Sequence, residues 1–213
     1  MSIKENIRRL KNSIPKNVHI LAATKNRNIT QIKEAIASGI KIFGENYVQE
    51  AEKKYKAIKK INKIELYFIG HLQKNKINRA LKLFDIVNID SYETASEINK
   101  RANKKIKILI EVNISNEPQK HGCKPSELIN LIKKISTLKN IEVKGLMTMA
   151  PYFKDAEKTR PYFREMKLVF DKIKKMKLKN IKMNILSLGM SNDYKIAIEE
   201  GSNLIRIGSL IFD

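Results

Sequence analysis

The chain has 213 residues, and 43 Lys+Arg against 22 Asp+Glu give a formal net charge of +21. A hydrophobic share of 42% supports a packed core and excludes disorder as the main state. The one cysteine, Cys123, excludes an intrachain disulfide and a Cys-rich zinc cluster, and no apolar run approaches the ~20 residues of a membrane helix.

The first residues are polar and dotted with Lys and Arg. They lack the apolar centre of a secretory signal and read as an N-terminal helix over about 3–13. Short apolar, β-branched runs then follow at 18–23, 42–43, 66–69, 86–89, 106–112, 143–147, 185–188 and 204–207. Helical periods lie between them, as in Ile29-Ile32-Ile36, Ala95-Ile98-Ala102, Leu128-Leu131-Ile132-Ile135 and Phe163-Met166-Phe170-Ile173. Strands apolar on both faces, each followed by a helix, are parallel strands covered by helices. About eight such units predict a (β/α)8 TIM barrel, a single domain over 1–213 with an extra N-terminal helix. A doubly wound open sheet is the alternative. The turn after the first strand, Ala23-Thr24-Lys25-Asn26, has no glycine, which argues against a dinucleotide fold.

In a barrel, chemistry gathers where strands end and βα loops begin. Those positions hold Thr24-Lys25, Gly44-Glu45-Asn46-Tyr47, Gly70-His71-Leu72-Gln73, Met147-Thr148-Met149, Gly189-Met190-Ser191 and Arg206-Ile207-Gly208-Ser209. Lys25 shares a strand face with Leu21 and Ala23. Apolar neighbours there would disfavour its ammonium and make the amine a nucleophile for carbonyls, the requirement of Schiff-base chemistry. A strand-end lysine that only reaches solvent fits the same residues. Ser191 is placed to cap the helical segment 193–200, and Gly208-Ser209 repeats the arrangement before the last short helix. Paired turns of this kind after strands 7 and 8 suit a phosphate, although both serines also fit as ordinary caps. Arg206 either faces the barrel interior, where its charge requires a partner or ligand, or lies on a frayed surface end.

A sequence pI near 9.9 raises the question of nucleic acid. The lysines are spread along the chain without a basic tail or a recognisable RNA- or DNA-binding motif, so a solvated basic surface is the expectation. RNA binding ranks last among the functional readings. His71 is the histidine expected near the barrel mouth, and Cys123 reads as an incidental thiol.

The stretches FGENYVQE from Phe43, FIGHLQKNK from Phe68, Asn113 with KHG from Lys120, GLMTMAP from Gly145 and LSLGMSNDYKIAIEEGSNLIRIGSLIF from Leu186 form a specific set spread nearly end to end. In these motifs the chain resembles the pyridoxal 5′-phosphate (PLP) homeostasis proteins, relatives of the alanine-racemase barrel of fold type III. The resemblance implies that Lys25 carries PLP as a Schiff base and that Asn46 lies near the cofactor ring. It further implies that Ser191, Gly208 and Ser209 hold the phosphate and that Arg206 faces the pyridine nitrogen. Two departures are visible. Asn26-Arg27-Asn28 stands where the family often has a proline, and Lys195 stands where an acidic residue is common.

An arginine beside the ring nitrogen cannot keep it protonated as a carboxylate would, so the ring would be a weak electron sink. Racemisation needs acid/base groups on both faces of the substrate carbon. The resemblance implies that racemases of this fold draw one of them from a subunit with a second domain, for which 213 residues leave no room. The expected function is therefore a non-enzymatic PLP carrier or buffer, with a PLP-dependent amino-acid racemase as the alternative. The expected setting is cytoplasmic, with no membrane and no metal involved. The expected partners are PLP and apo PLP-dependent enzymes, and the expected state is a monomer or weak dimer.

Overall fold

The computed structural model describes residues 2–61 and 63–213. Eight parallel strands close into one barrel in sequence order: β1 (His19–Ala23), β2 (Ile42–Glu45), β3 (Glu65–Phe68), β4 (Ile86–Ile89), β5 (Ile106–Val112), β6 (Ile141–Thr148), β7 (Ile181–Ser187) and β8 (Leu204–Ile207). The last strand returns to the first through the pairs His19–Leu204 and Leu21–Arg206. The expected barrel is thus present, and the open sheet is excluded.

An extra helix, α1 (Ile3–Asn12), precedes β1, and one helix follows each strand: α2 (Ile29–Ala37), α3 (Val48–Ile61), α4 (Ile77–Leu83), α5 (Tyr92–Arg101), α6 (Pro125–Ile135), α7 (Arg160–Lys175), α8 (Tyr194–Glu199) and α9 (Ser209–Phe212). Local sequence sets several starts. Ser2 and Glu5 form a capping box at α1, Asn28 and Gln31 form another at α2, and Pro125 opens α6. Among the described residues no helix is long and apolar enough to cross a membrane.

The main core lies between barrel and helices, where Ile20, Phe43, Leu66, Val87, Ile108 and Ile205 meet the apolar faces of the surrounding helices. A second cluster, including Leu21, Tyr67, Ile86, Leu109, Met147 and Leu204, fills the interior of the barrel. Side chains alternate along a strand, so the next inward positions are Asn88, Glu111, Ser187 and Arg206, all buried. The apolar plug thus lies deep and the polar groups lie toward the C-terminal mouth. Strands β6 and β7 begin earlier than their apolar runs. In these early stretches Glu142 and Lys144 are partly exposed and Lys182 is exposed, and Glu142 takes ion pairs from Lys144 at 3.3 Å and Lys182 at 3.1 Å. Gly145 is fixed by packing, because a Cβ there would overlap the Ile185 carbonyl.

Candidate functional site

Beyond Ala23 the chain turns over the C-terminal rim, with Asn26 in the left-handed region at φ 60. Beneath this turn sits a buried polar network. The Thr24 hydroxyl donates to Glu45 Oε1 at 2.7 Å and lies 2.7 Å from the Tyr55 hydroxyl. Lys54 Nζ donates to the Thr24 carbonyl at 2.7 Å, to Glu45 Oε1 at 3.0 Å and to Glu50 Oε1 at 2.5 Å. Glu50 Oε1 also accepts the Asn26 N–H at 3.0 Å. The backbone is therefore held on both sides of Lys25, at the carbonyl before it and the amide after it. Burial pushes the Glu45 carboxyl and the Tyr55 phenol up. For Glu50 partial burial acts upward, but hydrogen bonds from Lys54 and Asn26 and the charges of Lys54 and Lys25 bring it below the usual range.

Lys25 itself differs from the expectation of an apolar setting. It stands past the last residue of β1, is exposed, and has Nζ 5.8 Å from the Tyr47 ring centroid. The strand ends at Ala23, two residues short of Lys25, so the apolar face of Leu21 and Ala23 does not extend to it.

On the β7–β8 side, Arg206 points into the barrel and is 5% exposed. Its guanidinium donates to the Ser187 carbonyl and hydroxyl, both at 2.8 Å, and to the Thr148 carbonyl at 2.8 Å. Burial lowers its pKa to about 10, opposed by the charges of Glu111 and Asp193. Burial likewise raises Glu111 to about 7, against the attraction of Arg206.

Ser191 is not the cap of α8. Asp193 is the N-cap residue, and its carboxylate accepts the Met190 N–H at 2.6 Å. The Ser191 hydroxyl instead lies 3.5 Å from the Leu210 N–H in the first turn of α9, so the two glycine–serine turns adjoin. Gly189 needs its φ of 85, and a Cβ on it would overlap Ala197 and Tyr194. Gly208 differs. A Cβ there would meet only Ala23, at 3.7 and 3.9 Å, so the protein's own packing does not demand glycine.

Asn46 is half-buried beside Gly70 and lines a cavity of about 430 Å³ with Tyr47, His71, Gln73 and His121. His71 Nδ1 lies 3.1 Å from Asp90 Oδ2, and its ring stacks on His121 with centroids 4.1 Å apart. Cys123 is buried, and burial pushes its thiol up to about 12. Among the described residues, both amide atoms of Asn88 and Glu45 Oε2 are buried without a hydrogen-bond partner. A larger cavity, about 710 Å³, lies at the opposite end of the barrel between Lys11, His19, Lys41 and Asn184. Strand N-termini in this fold serve stability rather than chemistry, so the smaller cavity belongs with the candidate site.

The sequence reading missed Lys54, Glu50, Tyr55 and Asp90. A Glu-Lys pair at helical spacing, Glu50 and Lys54, was the available signal, but the chain carries many such pairs.

A closed parallel barrel with a lysine two residues past β1 and adjoining glycine–serine turns after β7 and β8 is the arrangement of an alanine-racemase-type barrel protein. The family described as alanine racemase, N-terminal domain, matches residues 1–213. The pyridoxal phosphate homeostasis protein of Aquifex aeolicus is 41% identical over 197 residues, covering 91% of this chain and 85% of that protein. PipY of Synechococcus elongatus, in its structure with PLP bound, superposes with a TM-score of 0.91 at 29% identity over 100% of both chains. An alanine racemase of Clostridium difficile shares the fold, with a TM-score of 0.84 at 16% identity over 99% of this chain and 58% of that chain. The chain belongs to the alanine racemase N-terminal domain family and, within it, to the pyridoxal phosphate homeostasis proteins.

Proposed function

We propose that this protein is a single barrel domain over residues 1–213 that binds PLP through a Schiff base on Lys25 and serves cytoplasmic PLP homeostasis without catalytic turnover. The observation that carries this reading is the Lys25 turn. An exposed amine sits on a backbone fixed at Thr24 and Asn26, on the same rim as the exposed Ser209 and as Gly208, where a Cβ would meet only Ala23. The bound PLP of PipY supports the ligand, and the naming of the relatives supports the homeostatic role.

The residues present fit the group. When bound, PLP supplies an aldehyde for the amine, a phosphate and a pyridine ring. Lys25 contributes the nucleophilic amine, and its neighbours hold it in place. Ser191, Ser209 and the backbone at Gly208 supply donors for a phosphate. Asn46 stands on the adjoining rim, and the unpaired amide of Asn88 leaves polar capacity inside the barrel. Arg206 keeps its charge at neutral pH despite burial and is held by Ser187 and Thr148. It can donate a hydrogen bond to a ring nitrogen but cannot accept that nitrogen's proton in an ion pair. This favours storage over carbanion chemistry. Apo PLP-dependent enzymes are the proposed recipients, and the carrier acts as a monomer or weak dimer.

Borohydride reduction of PLP-loaded protein, followed by peptide mapping, tests the reading. The expected result is a pyridoxyl adduct on Lys25 and no turnover of D- or L-alanine. An adduct elsewhere, or racemisation at ordinary enzyme rates, contradicts it.

A further inference from the structure

We propose that His71, Asp90 and His121 form a site for one borderline divalent transition-metal ion of the zinc class, on the rim across the mouth from the β7 and β8 turns. His71 follows β3, Asp90 follows β4, and His121 comes from the long connection after β5. Their ligand atoms all lie within 4.8 Å of one another.

The connection that delivers His121 is built for a fixed position. The Asn113 side-chain amide donates to the carbonyls of Glu117 at 2.8 Å and Lys120 at 3.1 Å. At its far end the Cys123 N–H donates to the Glu111 carbonyl at 2.9 Å, and the Asn113 N–H donates to the Cys123 carbonyl at 3.0 Å. Gly122, at φ 119, has no room for a Cβ beside the Asn113 nitrogen. The loop is thereby laced at both ends and lays His121 on His71.

The spacing and chemistry suit a metal. Bonds of about 2.0–2.1 Å to a tetrahedral ion separate neighbouring ligand atoms by about 3.3 Å. The His71–Asp90 separation of 3.1 Å already matches this. The two rings are nearly parallel, at 13°, so His121 must turn to aim a nitrogen at the same point, and its exposure on the rim allows it. Two imidazoles and one carboxylate suit zinc, cobalt, nickel or copper, whereas calcium and magnesium prefer all-oxygen shells. Three protein ligands leave a coordination position open toward the 430 Å³ cavity that both histidines line.

The test is a titration of tag-free, PLP-loaded protein with Zn²⁺ by calorimetry and with Co²⁺ by its visible d–d absorption. One ion per chain is expected. His121→Ala and Asp90→Asn should each weaken binding at least about tenfold. His19→Ala, at the opposite end of the barrel, should leave it unchanged. Lys25→Ala should also keep the site, which separates a metal held by the protein from one held by the cofactor. No binding at one ion per chain, binding indifferent to His121→Ala, or binding lost with Lys25→Ala overturns the proposal. If Asp90→Asn does not fold, the exposed His121→Ala variant decides alone.

Discussion

The two sides of the barrel mouth are built on different terms. On the β1–β2 side, the turn carrying Lys25 rests on a buried network in which Lys54 donates to the Thr24 carbonyl, Glu45 and Glu50 at once. On the β7–β8 side, Ser209 is exposed and Ser191 half-buried, with its hydroxyl 3.5 Å from the Leu210 N–H, beside a glycine that the fold itself does not need. On the first side the polar groups beneath the turn bond mostly to one another, with Glu45 Oε2 left over, whereas on the second the exposed Ser209 hydroxyl is open to a ligand. Damage to the first should therefore appear as lost stability, and damage to the second as lost affinity with stability intact.

The largest expected effect comes from Lys54→Met. Removing one partner of a buried ionic cluster costs about 3 kcal/mol, or ~6–12 °C in Tm for a chain of this size. Thermal unfolding of the apo protein checks this, and an unchanged Tm would erase the distinction between the two sides. Next comes the double variant Ser191→Ala/Ser209→Ala. Loss of hydrogen bonds to a charged phosphate, about 1.5 kcal/mol or more, should weaken PLP binding ~10-fold or more. The apo Tm should stay within about 2 °C, since Ser209 is exposed and the half-buried Ser191 makes only a long 3.5 Å contact with the Leu210 N–H. A fall in Tm with unchanged affinity would reverse the assignment.

A third effect, read as a slope over pH rather than a single shift, concerns the barrel interior between the two sides. Burial raises Glu111 from 4.5 to about 7, so the folded protein holds a proton there that the unfolded chain has lost. Between those values stability must fall as pH rises, and the favourable contribution is complete only below the unfolded value. Glu111→Gln should remove that slope, as read by urea unfolding at a series of pH values. Parallel profiles for the two proteins would exclude a raised Glu111.

The barrel was legible because parallel strands buried on both faces leave apolar runs that only turns and helical periods separate. The polar starts of β6 and β7 were not, since Glu142, Lys144 and Lys182 are satisfied by one another at the surface rather than by burial. Lys25 was legible by its place at a strand end, but its surroundings depended on where β1 stops. Lys54 was hidden because nothing local distinguishes it from the lysines on other helices. The capping role the sequence suggests for Ser191 is absent, because α8 starts later than its position implies: Asp193 is the N-cap residue, and its carboxylate turns back to the Met190 N–H rather than into the helix. His71 and His121 lie fifty positions apart, and only the order of strands around the closed barrel makes them neighbours.

Whether Lys25 is the point of covalent attachment is decided by titrating the apo protein with PLP and following the visible Schiff-base band. Saturation at one PLP per chain is expected in the wild type and no band in Lys25→Ala, with the variant's Tm close to that of the wild type. A wild-type protein that stays colourless in excess PLP, or a Lys25→Ala variant that develops the same band, would contradict it.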